Sequence, residues 1–178
     1  MSCFGIESLM KHIIKLLIYL IISSYSVSIS ALESEVKPKF SHYKVIAKKD
    51  FNNKVKLNTK LKKTKQFRTV LSGYLSGEPN FAGNYVIATW GCGSSCQGHA
   101  IINKVTGDVF WPNEIESTVN LFSCDKDALE FMTNSNLLVV NKPSFEGKVI
   151  QSFYEWKNNT FVRINKIEIK ESQFCEVR

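Results

Sequence analysis

The sequence contains none of the short motifs that mark common nucleotide-binding and hydrolase sites. It lacks a Walker loop, a Gly-rich dinucleotide fingerprint and a Gly-x-Ser-x-Gly nucleophile elbow. Histidine is scarce, with three residues in 178, and the Cys92-x-x-x-Cys96 spacing is not that of a usual zinc site. No catalytic residues are therefore nominated, no cofactor or metal is expected, and an enzyme is the less favoured hypothesis.

The overall composition is that of a globular chain. Apolar residues make up 44% of the sequence and charged residues 22%, close to the averages of about 45–50% and about 25% for globular proteins. These values exclude disorder, collagen and a polytopic membrane protein for most of the chain. The length predicts about one domain.

Long hydrophobic runs are confined to the N-terminus. Lys11 and Lys15 precede the apolar residues 16–22, and small or polar residues follow as far as Ala31. This order is typical of a secretory signal peptide, and the run falls short of the roughly 20 residues that a transmembrane helix needs. We expect a signal peptide over 1–31, with Met10 as an alternative start. The mature protein is then periplasmic or secreted, with no stable membrane span.

Four cysteines remain after removal of the predicted signal peptide: Cys92, Cys96, Cys124 and Cys175. An even number in an exported chain indicates two disulfides, and four cysteines allow three pairings. The short separation of Cys92 and Cys96 favours that pair. Cys124 would then bond Cys175 and tie down the C-terminal tail.

Positive charge is concentrated in one segment. Residues 37–68 contain twelve Lys or Arg and one acid, net +11, whereas residues 69–178 carry a net −3. A basic face of this kind attracts an acidic protein or an anionic polymer, or only keeps the protein soluble. Nucleic acid is disfavoured because eleven of the twelve cations are lysines, which read bases poorly.

Hydrophobic periodicity predicts one helix followed by strands. Phe67, Val70, Leu71 and Tyr74 share one face of a helix over 59–75, which leaves Lys60, Lys62, Lys63 and Lys65 on its wet faces as a basic surface. Turn residues then separate short β-forming runs; these are 85–90, 99–103, 109–111, 129–132, 137–141, 149–156 and 161–169. The fold class is α+β and mainly β, an antiparallel meander of hairpins with one N-terminal amphipathic helix, stabilised by disulfides. We expect a basic arm over 32–58 with one strand at 40–47, and a single β-rich domain over 59–178.

The most distinctive stretch runs from Phe81 to Cys96. It reads Phe-Ala-Gly-Asn-Tyr, a short strand, and then Trp-Gly-Cys-Gly-Ser-Ser-Cys. It resembles a family of small exported bacterial proteins, most of them uncharacterised, that carry Phe-Ala-Gly-His-Tyr before Trp-Gly-Cys-Gly-x-x-Cys. The resemblance covers roughly residues 65–165 and implies export but no particular reaction. Asn84 stands where the family has its histidine, so a catalytic base at that position would be missing here.

The motif also provides the candidate binding residues. A disulfide-pinned loop would present Ser94, Ser95, Gln97 and His99, with Trp90 and Asn84 beside it. We interpret the protein as an exported binding module that recognises another macromolecule, in an inhibitor- or immunity-type role. The expected partner is a protein or an anionic envelope polymer. The alternatives are an envelope enzyme of unknown reaction and a secreted virulence factor acting through its basic surface.

Overall fold

The computed structural model describes Lys15 and residues 36–47 and 55–176. The chain divides after Val36 into two compact units, and the account below concerns the second. The predicted signal peptide lies outside the described residues, except for Lys15. Among the described residues, no helix is long and apolar enough to cross a membrane.

The first of two antiparallel sheets is built around a central strand. Strand β2 (Cys96–Asn103) pairs along one side with β1 (Tyr85–Gly93). Along its other side it pairs with β3 (Val109–Phe110) at one end and β4 (Ser117–Val119) at the other. Strand β4 is not predicted by the sequence.

The second sheet is a four-stranded meander. It consists of β5 (Leu129–Phe131), β6 (Leu137–Ser144), β7 (Lys148–Lys157) and β8 (Thr160–Lys170), paired in chain order. Asn158 and Asn159 connect β7 to β8 with φ of 52° and 61°. Asparagine tolerates this left-handed conformation, and two such residues give the turn that matches the twist of the flanking strands. The predicted fold class, mainly β with hairpins in antiparallel order, is confirmed.

The two sheets pack face to face. Ile87 and Ile101 of the first sheet share one buried cluster with Leu138, Val140 and Trp156 of the second. Because side chains alternate along a strand, the residues next to these in the sequence lie on the outer faces of the two sheets. On the first sheet Val86, Ala88, Ala100 and Ile102 face the helices, and on the second Leu137, Val139 and Phe153 pack against Phe40 and Tyr43.

Two short helices occupy the region predicted as one. Helix α1 (Lys62–Gln66) and helix α2 (Arg68–Ser76) meet at Phe67, whose φ of −95° and ψ of 16° interrupt regular helix. The predicted apolar face is nevertheless used, since Phe67, Val70, Leu71 and Tyr74 all pack on the first sheet. A third short helix, α3 (Glu171–Glu176), follows β8.

Residues 37–47 and 55–58 of the segment predicted as a separate arm contact the rest of the domain. The predicted strand over 40–47 is not formed: residues Phe40–His42 make a 3₁₀ turn, and only Lys44 makes a β-bridge, to Ser135. Asn136 donates its backbone N–H to Tyr43 O at 2.9 Å. Residues 48–54 lie outside the described part, and Asn58 N donates to Gly107 O at 2.8 Å.

Both disulfides follow the favoured pairing. Cys92 bonds Cys96 with Cα atoms 5.1 Å apart, and Cys124 bonds Cys175 at 5.8 Å. The second bond holds α3 to the loop before β5, where the rings of Phe122 and Phe174 are also in contact, with centroids 4.8 Å apart. Two disulfides suit an oxidising compartment such as the periplasm or the extracellular space.

Candidate functional site

The tip of the β1–β2 hairpin is a small loop closed by a disulfide. Gly91, Cys92, Gly93, Ser94 and Ser95 are all exposed. Gly93 adopts φ of 139° and Ser95 φ of 56°, a backbone path that favours glycine at the first position. The Cys92–Cys96 bond closes this path across three residues. The tip is therefore a constrained loop whose side chains face solvent.

A cleft of about 490 Å³ lies beside this tip. Gln97 and Asn120 provide polar side chains to its lining, together with Thr89 and Ser95. Asn120 N donates to Ser95 O at 2.9 Å, which fixes the loop after β4 against the tip. The side-chain oxygen of Asn120 is buried and accepts no hydrogen bond within the described part of the chain. An amide acceptor thus remains unused at the cleft.

Two exposed apolar residues adjoin Asn120 in the sequence. Val119, which pairs with Cys96, is 44% exposed, and Leu121 is 62% exposed. Because Val119 pairs with Cys96 and Asn120 lines the cleft, we group these residues with the tip as the tip surface, comprising residues 91–97 and 119–121. None of these ten residues is charged. The tip surface is therefore neutral in a protein with a net charge of +7.

Trp90 supports the tip from the helix side of the sheet. Its ring lies 4.9 Å from that of Phe67 and 5.9 Å from that of Trp111, measured between centroids. Gly98, its register partner on β2, lies beneath the indole, and a Cβ there would come within 2.8 Å of the ring nitrogen. Trp90 is thus mainly a packing residue that also lines the cleft.

His99 does not reach the surface. It faces the space between the sheets and is 1% exposed. Its Nδ1 lies 3.0 Å from Thr89 Oγ1 and its Nε2 2.8 Å from Thr118 Oγ1. Burial lowers the pKa of His99 from 6.5 to about 4. A neutral imidazole has one donor and one acceptor nitrogen, and a hydroxyl can complement either, so His99 is a satisfied core residue rather than part of the presented loop.

Asn84 lies at the opposite end of β1 from the tip. It precedes Tyr85, and its backbone oxygen accepts from Lys104 N at 2.9 Å. Its side-chain oxygen is buried and has no partner among the residues described. The structure therefore separates Asn84 from Ser94 and Ser95 by the length of the strand.

The four lysines of the predicted basic surface divide into two groups. Lys60, Lys62 and Lys65 are exposed. Lys63 instead pairs with Glu116, and its ammonium lies 4.5 Å from the centroid of Trp111. Lys63 therefore contributes to packing between helix α1 and the first sheet as well as to the basic surface.

The residues that the sequence analysis missed are Val119, Asn120 and Leu121. They come to the tip only because β4 pairs with β2, and a three-residue strand has too few positions to show alternation. Within the described part of the chain, no group of three His, Cys, Asp or Glu side chains could hold a metal ion. Comparison with protein-family models, curated proteins and solved structures finds no match to this chain.

Proposed function

We propose that the protein is an exported binding module whose tip surface recognises a protein partner, in an inhibitor- or immunity-type role. The observation that carries this proposal is the disulfide-closed tip itself. Five consecutive exposed residues lie in or next to a loop that a covalent bond closes, although none of them contributes to a buried cluster.

A constrained loop suits binding because little flexibility is lost when a partner docks. Ordering costs of roughly 0.5–1.5 kcal/mol for each immobilised side chain reduce affinity, and short Ser and Gly residues keep this cost low. A Cβ added at Gly91 would meet only open space, and the backbone there does not adopt a positive φ, so the fold itself does not demand a glycine at this position. A close approach by a partner backbone would use that space.

The neutral chemistry of the tip surface favours a protein partner over an anionic polymer at this site. Val119 and Leu121 offer apolar contact, while Ser94 and Gln97 offer hydrogen-bonding groups. An interface of this composition lacks the long-range attraction that salt screens. Binding through the tip is therefore expected to resist high salt.

The proposed compartment is the periplasm or the extracellular space. The two disulfides support it, as do the signal-like residues 1–31 and the resemblance to a family of exported bacterial proteins.

Capture from an envelope extract at low and high salt tests the proposal, with tip variants and a matched control. Ser94→Arg and Leu121→Asp each place a charge on the tip surface. Val162→Asp places the same charge as Leu121→Asp at a half-exposed position on β8, in the other sheet. We expect one protein to be captured at both salt concentrations by the unmodified chain and by Val162→Asp, but not by the tip variants. Capture that disappears at high salt, or that ignores the tip variants, contradicts the proposal.

A further inference from the structure

A second cleft lies on the helix side of the first sheet, at the other end of the hairpin from the tip. It has a volume of about 420 Å³ and lies between the segment around Lys56 and one face of helix α2. Asn58 N bonds to Gly107 O in the turn after β2, which sets this segment at the base of the hairpin. The seven residue steps from Asn103 to Cys96 separate the cleft from the tip by about 24 Å of strand.

The lining of this cleft combines positive charge with hydroxyl groups. Lys56 and Arg68 supply the charges, and Thr59, Ser72 and Ser76 supply the hydroxyls. Arg68, Ser72 and Ser76 are spaced four residues apart, so they follow one another along a single face of α2. No acidic residue lines the cleft.

The two cations differ from several others in the domain. Lys63 pairs with Glu116, Lys148 lies 2.8 Å from Glu168, and Lys104 contacts two backbone carbonyls. No ion pair joins Lys56 or Arg68 to any residue that the structure describes. Arg68 also begins α2, where the helix dipole disfavours a cation, and no acid occupies the first turn. A bound anion would neutralise this local excess of positive charge.

The donors favour a tetrahedral oxyanion over a carboxylate. The guanidinium of Arg68 offers a two-pronged fork and the ammonium of Lys56 a mobile point charge. Thr59 and Ser72 add hydroxyl donors, whereas Ser76 Oγ already donates to Gly73 O at 2.7 Å. These donors exceed what the two oxygens of one carboxylate accommodate comfortably. A phosphoryl group presents three or four oxygens around one centre.

We infer that the cleft between the Lys56 segment and helix α2 is a binding site for a phosphoryl group, in which Arg68 and Lys56 provide the main contacts. The group is either free in solution or part of a lipid headgroup, since both present the same oxygens. This site is separate from the tip surface, so it does not depend on the function proposed above.

Calorimetric titration of the purified protein with pyrophosphate tests the inference. We expect Arg68→Gln and Lys56→Gln each to weaken binding by roughly tenfold or more, because each removes a charge-assisted contact. Lys62→Gln and Lys65→Gln are the matched controls. They remove the same charge from exposed lysines of helix α1 that do not line the cleft. We expect the affinity to change by less than about twofold, because such charges act only through screened attraction.

The outcomes separate a built site from a merely basic surface. Equal weakening by all four variants, or no binding by the unmodified protein to either pyrophosphate or vesicles, overturns the inference. A parallel titration with vesicles of phosphatidylglycerol identifies the source. If the protein binds only vesicles, and this binding still requires Arg68 and Lys56, the cleft binds a lipid headgroup. If vesicle binding is unchanged in both variants, the result counts against the site. Thermal unfolding of each variant shows whether it is folded.

Discussion

Protonation of His99 should make the fold sensitive to mild acid. The folded pKa of about 4 lies below the ordinary value of 6.5, so the unfolded chain binds a proton on His99 before the folded chain does. The free energy of unfolding therefore falls as pH drops through 6.5, and the loss is complete below the folded pKa. Above pH 6.5 His99 itself contributes little to the pH dependence of stability.

The size of the effect follows from the two pKa values. Each pH unit between them corresponds to about 1.4 kcal/mol, so lowering the pKa from 6.5 to about 4 costs about 3 kcal/mol in acid. The side chain is 1% exposed, and solvent therefore screens little of this penalty. A loss of this size is a large fraction of the roughly 5–15 kcal/mol that stabilises a typical domain.

Urea unfolding followed by tryptophan fluorescence measures the effect. His99→Gln is the reference variant, because its amide does not titrate and can still hydrogen-bond Thr89 and Thr118. The difference in free energy of unfolding between the unmodified chain and the variant should shift by about 3 kcal/mol in favour of the variant between about pH 7.5 and about pH 4. His42→Gln alters an exposed histidine and serves as the control. If the unmodified chain and His99→Gln lose stability in parallel, the buried neutral imidazole is not the cause.

Three further predictions concern stability. Replacing both Cys124 and Cys175 by Ala should lower the free energy of unfolding by about 4 kcal/mol, because this bond closes a loop of 51 residue steps. Replacing both Cys92 and Cys96 should lower it by only about 2 kcal/mol, because that bond closes a loop of 4 steps. Equal losses in a denaturant series would contradict this. Lys104→Met should cost about 1–3 kcal/mol, because the ammonium binds Leu75 O and Gly77 O at the end of α2; an unchanged unfolding midpoint would show that those carbonyls find other partners. Reversing Lys60, Lys62 and Lys65 to Glu should leave the thermal midpoint nearly unchanged. Adding Lys63→Glu should lower it by an amount equivalent to about 1 kcal/mol or less, since Lys63 is the one of these four lysines that pairs with Glu116. A large drop with the first three substitutions would show that these lysines are structural.

Much of the fold is predictable from local pattern. Strands β7 and β8 follow from the β-forming runs on either side of Asn158 and Asn159, and the observed turn uses those residues at positive φ. The apolar face of the helical region is correct as well. Its division at Phe67 and the missing strand over 40–47 are not predictable in this way. Both depend on how a segment meets a sheet that lies elsewhere in the sequence.

The candidate site is predictable only in part. Ser94 and Ser95 are exposed at the tip, as expected for a short loop between two cysteines. His99 follows only four residues after Ser95, yet the alternation of β2 places it between the two sheets. Proximity in sequence to an exposed loop does not show whether a residue is exposed or buried, because the buried face of β2 is defined by the second sheet.

Local features of this protein follow from its sequence alone: the turn positions, the alternation of most strands, the amphipathic helical face and the concentration of lysine before residue 69. These depend on backbone preference and on neighbours a few residues apart. Three features depend on the folded structure: which of three cysteine pairings forms, the burial of His99 between Thr89 and Thr118, and the pairing of Val119 with Cys96 at the tip. Each of these depends on how strands and loops pack in the assembled fold. Their energies come from packing and burial in the assembled sheets, which no local pattern encodes.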